Sequence, residues 1–307
     1  MIVDGAGGAV MPGISGKAIW AFWPLRFVVL FAATLSLLVG NYFLVSLSVK
    51  HRGALPRDLV LAAGAFIAVA VMILAYRLLV RWTEGRRASE LGNSGSASLT
   101  AAGMAIGLFL FATVFACLVL FGAASIAGPG AINTLMPQLA SAAMAAVGEE
   151  IIMRGVAYRL FEEGFGTTVA VVLSGALFGL LHAANPGATM ESTAAIALEA
   201  GILLAAAYVL TRSLWFPIGV HFGWNFAEGG IFGTSVSGAK STTGLIAAPV
   251  SGPNYLTGGL FGPEASLPAV LVCLTAALVM LVMAARRGEW RAVRVRFRAS
   301  GNLRREV

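Results

Sequence analysis

Long apolar runs separated by short polar stretches dominate the chain. A hydrocarbon core of about 30 Å is crossed by roughly 20 residues of helix. Runs of that length stand at Phe27 to Val49, Leu59 to Val80, Leu99 to Ile126, Thr193 to Thr211 and Leu267 to Ala285. Ile132 to Leu160, Thr168 to His182 and Leu214 to Ala227 are also apolar, but polar groups interrupt them. The pattern predicts an all-α fold, a polytopic transmembrane helix bundle of about eight membrane segments. Two stretches break it. Glu84 to Ser98 reads as a polar loop, and Gly229 to Pro263 as a long Gly/Ser/Thr-rich connection. A loop of that length is either a lid over a site or a disordered extramembrane link.

Composition agrees with this class. Of 307 residues, 58% are hydrophobic and 11% charged, with a mean hydropathy of +0.86. Soluble domains carry roughly a quarter charged residues. The formal charge of +7 is concentrated near the C-terminus, in Arg286, Arg287, Arg291, Arg294, Arg296, Arg298, Arg304 and Arg305. Placed directly after an apolar run, this tail fits anionic lipid headgroups better than nucleic acid. The tail, the Arg81 to Arg87 loop, Arg159 with Arg154, and Arg212 fall on one side of an even-numbered bundle. That side is expected to be cytoplasmic, with both termini inside, although Lys50, Arg52 and Arg57 then lie outside. Cys117 and Cys273 sit within apolar runs and read as small buried residues rather than a disulfide or metal site. No removable signal peptide is expected. The chain divides into N-terminal hydrophobic helices (1–130), a polar-containing core (131–285) and a basic cytoplasmic tail (286–307).

A charged group near the bilayer centre costs about 2.5–3.5 kcal/mol on insertion scales, so it needs a partner or a task. Glu149 and Glu150 are adjacent and project about 100° apart on a helix. Glu150 can pair with Arg154 at i, i+4, which leaves Glu149 facing elsewhere. His182 follows Phe178 by one turn, and His221 precedes Asn225 by one turn. A lone buried histidine is usually structural, because one carbonyl satisfies it. Two histidines, an unpaired glutamate and an asparagine on separate segments point to water activation instead. Glu149 with His182 could deprotonate a water, and His221 with Asn225 could donate to an oxyanion. Alternatively, Glu149, His182 and His221 could ligate a zinc ion whose fourth position holds the water. Residue types alone suit both schemes. Glu199, in a strongly apolar run, is expected to pair with a nearby arginine or hydroxyl, the other reading being an acid that supports the site or contacts substrate; Glu162 with Glu163 is expected to form a solvated loop pair.

Together, Glu149-Glu150-x-x-x-Arg154, Phe178-x-x-x-His182 and His221-x-x-x-Asn225 resemble the signature of the CAAX-protease and bacteriocin-processing (CPBP, or Abi) family. The likeness spans about Ile132 to Glu228. It implies an intramembrane endopeptidase, metallo- or glutamate-type, in which Glu149 and His182 activate water and His221 and Asn225 serve the oxyanion. Glu150 and Arg154 would support Glu149. The expected substrate is a membrane-associated protein or peptide, the expected setting a bacterial plasma membrane, and no nucleic acid is involved. Two rivals come from other classes: a proton-coupled transporter using Glu149, Glu150, His182 and Glu199 as a relay, and a non-catalytic scaffold or immunity protein. All the unusual polar groups lie in one half, which counts against transport by pseudo-repeated halves.

Overall fold

The computed structural model describes residues 20, 22–240 and 244–292. It is a helical bundle. Helix α1 spans Trp23–Lys50, α2 Arg57–Glu84 and α3 Ser96–Leu120. Helix α4 (Leu135–Glu150) runs through a π-helical stretch, Ile151–Tyr158, into α5 (Arg159–His182). Helix α6 (Met190–Ile196) passes through Ala197–Gly201, also π-helical, into α7 (Ile202–Thr211). Helix α8 (Trp215–Asn225) continues as a π-helical turn, Phe226–Ile231. The short α9 (Asn254–Thr257) and the long α10 (Leu267–Arg286) complete it. The little extended structure is one pairing of β1 (Gly128–Pro129) with β2 (Ile246–Ala247).

Among the described residues, six helical stretches are long and apolar enough to cross a membrane, against the roughly eight segments expected. The difference has two sources. Ile132–His182 is one stretch of 51 residues, broken at Gly166, whose φ of 78° and ψ of 173° only glycine adopts easily. Its two limbs are the expected 132–160 and 168–182 segments. The remaining segment, α8 with its π turn, is apolar but shorter than a full crossing.

Small residues set how closely these helices approach. Helix α8 lies along α3 on four glycines: a Cβ on Gly219 would stand 2.3 Å from the Thr100 carbonyl, and one on Gly223 2.3 Å from that of Met104. From the other side, a Cβ on Gly107 would stand 2.1 Å from the Val220 carbonyl, and Gly103 meets Phe216 likewise. Gly219 and Gly223 flank His221, so this contact fixes where its ring points. Gly201 packs on Gly175, where an added Cβ would be 2.7 Å from backbone, as the small-residue pattern predicts. Gly148 admits Leu38 of α1 beside Glu149.

The two ends of the bundle differ. At the end where α2 finishes and α5 begins, arginines and glutamates interlock. Arg159 donates to Glu84 (2.9 and 2.5 Å), and Arg86 donates to Glu84 (2.7 Å) and Glu90 (2.8 and 2.9 Å). Glu162 is buried and accepts from Arg212 (2.7 Å), Tyr158 (2.7 Å), Thr167 (2.6 Å) and Arg291 (3.3 Å). The expectation of a solvated Glu162–Glu163 loop pair is therefore wrong. The break at Gly166 folds Glu162 into the ion-pair network, and Glu163 pairs with Arg26. The Glu84–Ser98 connection is likewise packed, with Glu90 and Leu91 buried. The opposite end carries Gly229–Pro263, whose described residues fold back over the bundle: Gly238 donates to Phe261 (2.7 Å), and Phe261 is buried. Within the tail, Arg294, Arg296, Arg298, Arg304 and Arg305 lie outside the described residues.

Candidate active site

The three sequence motifs meet near mid-bundle. Glu150 and Arg154, both wholly buried, form the expected i, i+4 pair at 2.8 Å. Arg154 also donates to the carbonyls of Ala200 (3.1 Å) and Gly201 (2.9 Å), and its guanidinium stands 4.9 Å from the Phe178 ring centre. Buried charges persist when paired and hydrogen-bonded in this way. Glu150 has a second partner: Nδ1 of His221 lies 3.1 Å from its Oε1. A carboxylate can only accept, so Nδ1 carries the proton.

His182 is fixed by the same logic. Its Nδ1 is 2.9 Å from the Phe178 carbonyl, which again can only accept. The Phe178 ring lies 4.6 Å from the His182 ring and 6.2 Å from that of His221. Phe178 thus wedges both imidazoles and carries Arg154 on its face. With both Nδ1 atoms occupied, both Nε2 atoms turn to Glu149: its Oε2 is 3.8 Å from His182 and 3.9 Å from His221. That oxygen is buried and has no hydrogen-bond partner among the described residues. At 3.8 Å the pair is too far apart for a direct hydrogen bond. One water at about 2.8 Å from each would bridge it.

Glu149, His182, His221 and Asn225 all line one cavity of about 450 Å³. It opens beneath the Gly229–Pro263 connection, which contributes Thr234, Val236, Ser237 and Lys240; Asn185 ties this segment down by donating to the Ser237 carbonyl (3.0 Å). Of the two readings of that connection, its described residues match the site-covering one. Sequence reasoning missed Tyr42, which reaches the cavity from α1, together with Gln138 and Ser141 of α4. A tyrosine in an apolar helix was the only signal, and the run gave no register to show which face it takes.

The metal reading can be measured against these distances. Two ligands 2.0–2.1 Å from one tetrahedral zinc stand about 3.3 Å apart. Glu149 is 3.8 and 3.9 Å from the two imidazole nitrogens, and no group of three His, Cys, Asp or Glu among the described residues is arranged to hold a metal ion. As placed, Glu149 stands somewhat farther from the two imidazole nitrogens than two ligands of one zinc ion would.

Glu199 departs from its expected pairing. It is buried, one carboxylate oxygen has no hydrogen-bond partner among the described residues, and its polar neighbour is the Cys273 thiol rather than an arginine or hydroxyl. Arg154, which donates to the neighbouring Ala200 and Gly201 carbonyls, is already held by them and by Glu150. Glu228 and Glu264, also buried, complete an acidic group that sequence reasoning did not single out.

No curated protein and no solved structure matches the chain. One family model does, over residues 131–227: the Rce1-like type II CAAX prenyl endopeptidases. Its span encloses Glu149, Glu150, Arg154, Phe178, His182, His221 and Asn225. Over that stretch, about a third of the chain and including all seven motif residues, this membrane protein is similar to the CAAX prenyl endopeptidases.

Proposed function

We propose that the protein hydrolyses a peptide bond in a membrane-associated protein or peptide, with Glu149 as general base. The observation that carries this reading is the convergence of two imidazole Nε2 atoms on one unpartnered Glu149 oxygen at the wall of an open cavity. A water between Glu149 and His182 donates one hydrogen to each, which leaves an oxygen lone pair for the substrate carbonyl. As the oxygen–carbon bond forms, the water's proton passes to Glu149. The oxyanion takes hydrogen bonds from the Asn225 amide and from His221. Because Nδ1 of His221 is used on Glu150, donation from Nε2 requires the imidazolium form, whose charge Glu150 faces. Collapse breaks the carbon–nitrogen bond, and Glu149 returns its proton to the departing amine. Arg154 and Glu150 orient His221, while Phe178 orients both rings. No step is routed through a metal.

The orientation in the membrane belongs to this proposal. Arg86, Arg159, Arg212 and Arg291 gather at one end and line a cavity there. The positive-inside rule places that end in the cytoplasm. Chain direction then puts the catalytic mouth, under Ser237 and Lys240, toward the extracytoplasmic face.

The test uses purified full-length protein in lipid nanodiscs with a panel of membrane-tethered peptides. Cleavage by the wild type that is absent from Glu149→Gln and indifferent to strong chelators supports the reading. Cleavage lost on chelation and restored by zinc would replace it with the metallopeptidase scheme. No cleavage across the panel, with Glu149→Gln indistinguishable from wild type in cells, would turn attention to transport or scaffolding.

A further inference from the structure

A second, smaller cavity lies behind the catalytic one. It measures about 20 Å³ and is lined by Trp224, Glu199, Glu264, Asn225, His221 and Ser237, among others. A water needs roughly 10–15 Å³ of such volume and two to four polar partners. Three buried polar atoms that lack a hydrogen-bond partner among the described residues belong to side chains lining this space: Trp224 Nε1, Glu199 Oε1 and Glu264 Oε1. They come from three separate elements, namely α8, the π-helical Ala197–Gly201 and the turn at Pro263–Ala265. Their residues are 5%, 2% and 3% exposed, so bulk water does not satisfy them. Left unpaired, each such atom carries an uncompensated desolvation penalty.

We propose that this cavity is a built site for one resident water, and that the water positions Asn225. Asn225 lines both cavities, and no side chain among the described residues hydrogen-bonds its amide. An asparagine that donates its N–H to an oxyanion must have its carbonyl oxygen held from the other side, or the amide flips. A water satisfies that need with complete bonding. It accepts from the Trp224 indole N–H and from one carboxylic O–H of the Glu199–Glu264 group. It donates to the Asn225 carbonyl oxygen and to the remaining free carboxyl oxygen. The carboxyls serve here as acids, since clustering buried carboxylates as like charges would be prohibitively costly. Glu199, Glu264 and Trp224 therefore act through Asn225, as positioning residues. The kinetic consequence rests on the peptidase reading; the water site itself does not.

Two measurements separate them. In 15N-tryptophan-labelled full-length protein, the indole resonance removed by Trp224→Phe is expected to show cross-relaxation to a long-lived water. It is expected to lose that transfer in Ala200→Val, which fills the cavity. Absence of transfer in the wild type would mean a dry cavity and would overturn the site, whatever the enzyme's activity. For the positioning role, Trp224→Phe and Glu199→Gln are each expected to lower kcat roughly 10- to 100-fold with KM unchanged. Neither should lower it further in an Asn225→Ala background. Additive losses in that background would overturn the role assigned to the water. Full activity of Glu149→Gln would instead count against the peptidase mechanism and leave the water site standing.

Discussion

Two regions of the molecule, its arginine-rich end and the surroundings of the motif residues, handle buried charge in opposite ways. In the arginine-rich end every glutamate is answered: Glu84, Glu90 and Glu162 accept from Arg86, Arg159, Arg212 and Arg291. Around the bundle centre, Glu149, Glu199, Glu228 and Glu264 each keep at least one buried oxygen without a hydrogen-bond partner among the described residues. Satisfied ion pairs fix helices relative to one another, and an unpartnered buried oxygen costs free energy unless a water or substrate answers it. The first region holds the bundle's shape. The second is the region proposed for chemistry, and Glu150 with Arg154 marks the boundary, an ion pair that also contacts His221.

If that contrast is right, substitutions in the two regions separate activity from stability. Glu149→Gln is expected to reduce peptide hydrolysis by about 10³-fold or more while leaving the unfolding temperature unchanged. Peptidase rates and thermal unfolding measured on the same nanodisc preparation test both halves. Asn225→Ala removes one oxyanion donor and is expected to cost about 10²-fold in kcat, again without loss of fold. At the other end, Arg159→Leu leaves Glu84 buried beside one fewer cation. It is expected to destabilise the protein by about 3 kcal/mol, and any activity lost should follow the folded fraction. An Arg159→Leu protein of normal stability with kcat lost would erase the distinction between the regions.

The smallest expected effect concerns pH. Burial pushes the Glu90 carboxyl up, but hydrogen bonds from Arg86 and Tyr76 and the Arg159 charge outweigh it, so the group sits below the usual carboxylate range. A depressed folded pKa gives stability that is fully present above the unfolded value and is lost as pH falls through the folded one. Acidification below the ordinary carboxylate range should therefore destabilise the wild type more than Glu90→Gln. Parallel pH–stability curves for the two would contradict the assignment. Orientation is a separate check. Lys240→Cys should react with a membrane-impermeant thiol reagent added outside intact cells, and Arg87→Cys only after permeabilisation. The reverse pattern would invert the proposed topology.

Much of the site was legible in the sequence because its spacings are local. Glu150–Arg154, Phe178–His182 and His221–Asn225 each lie one helical turn apart, so periodicity alone put them on shared faces. The separation of Glu149 from Glu150 followed from the 100° step. What depended on tertiary packing was not legible. Glu199 was expected to find an arginine or a hydroxyl, but Arg154 was already taken by Glu150 and the Ala200 and Gly201 carbonyls. Glu162 looked like a surface residue because nothing local marks the Gly166 break that folds it inward. Glu264 sits in a loop whose path over the bundle is set by contacts such as Gly238 to Phe261, far from any periodic pattern. The count of about eight segments was not confirmed for a related reason: α8 is short, and its place in the bundle is set by glycine contacts with α3 rather than by length.

The central claim, that Glu149 drives peptide-bond hydrolysis in the membrane, is tested most directly by comparing protein termini in cells. Wild type and Glu149→Gln would be expressed at matched levels and all N- and C-termini profiled. New termini that appear only with the wild type, and map to membrane-associated proteins, are the predicted result. Indistinguishable profiles across several growth conditions would contradict it.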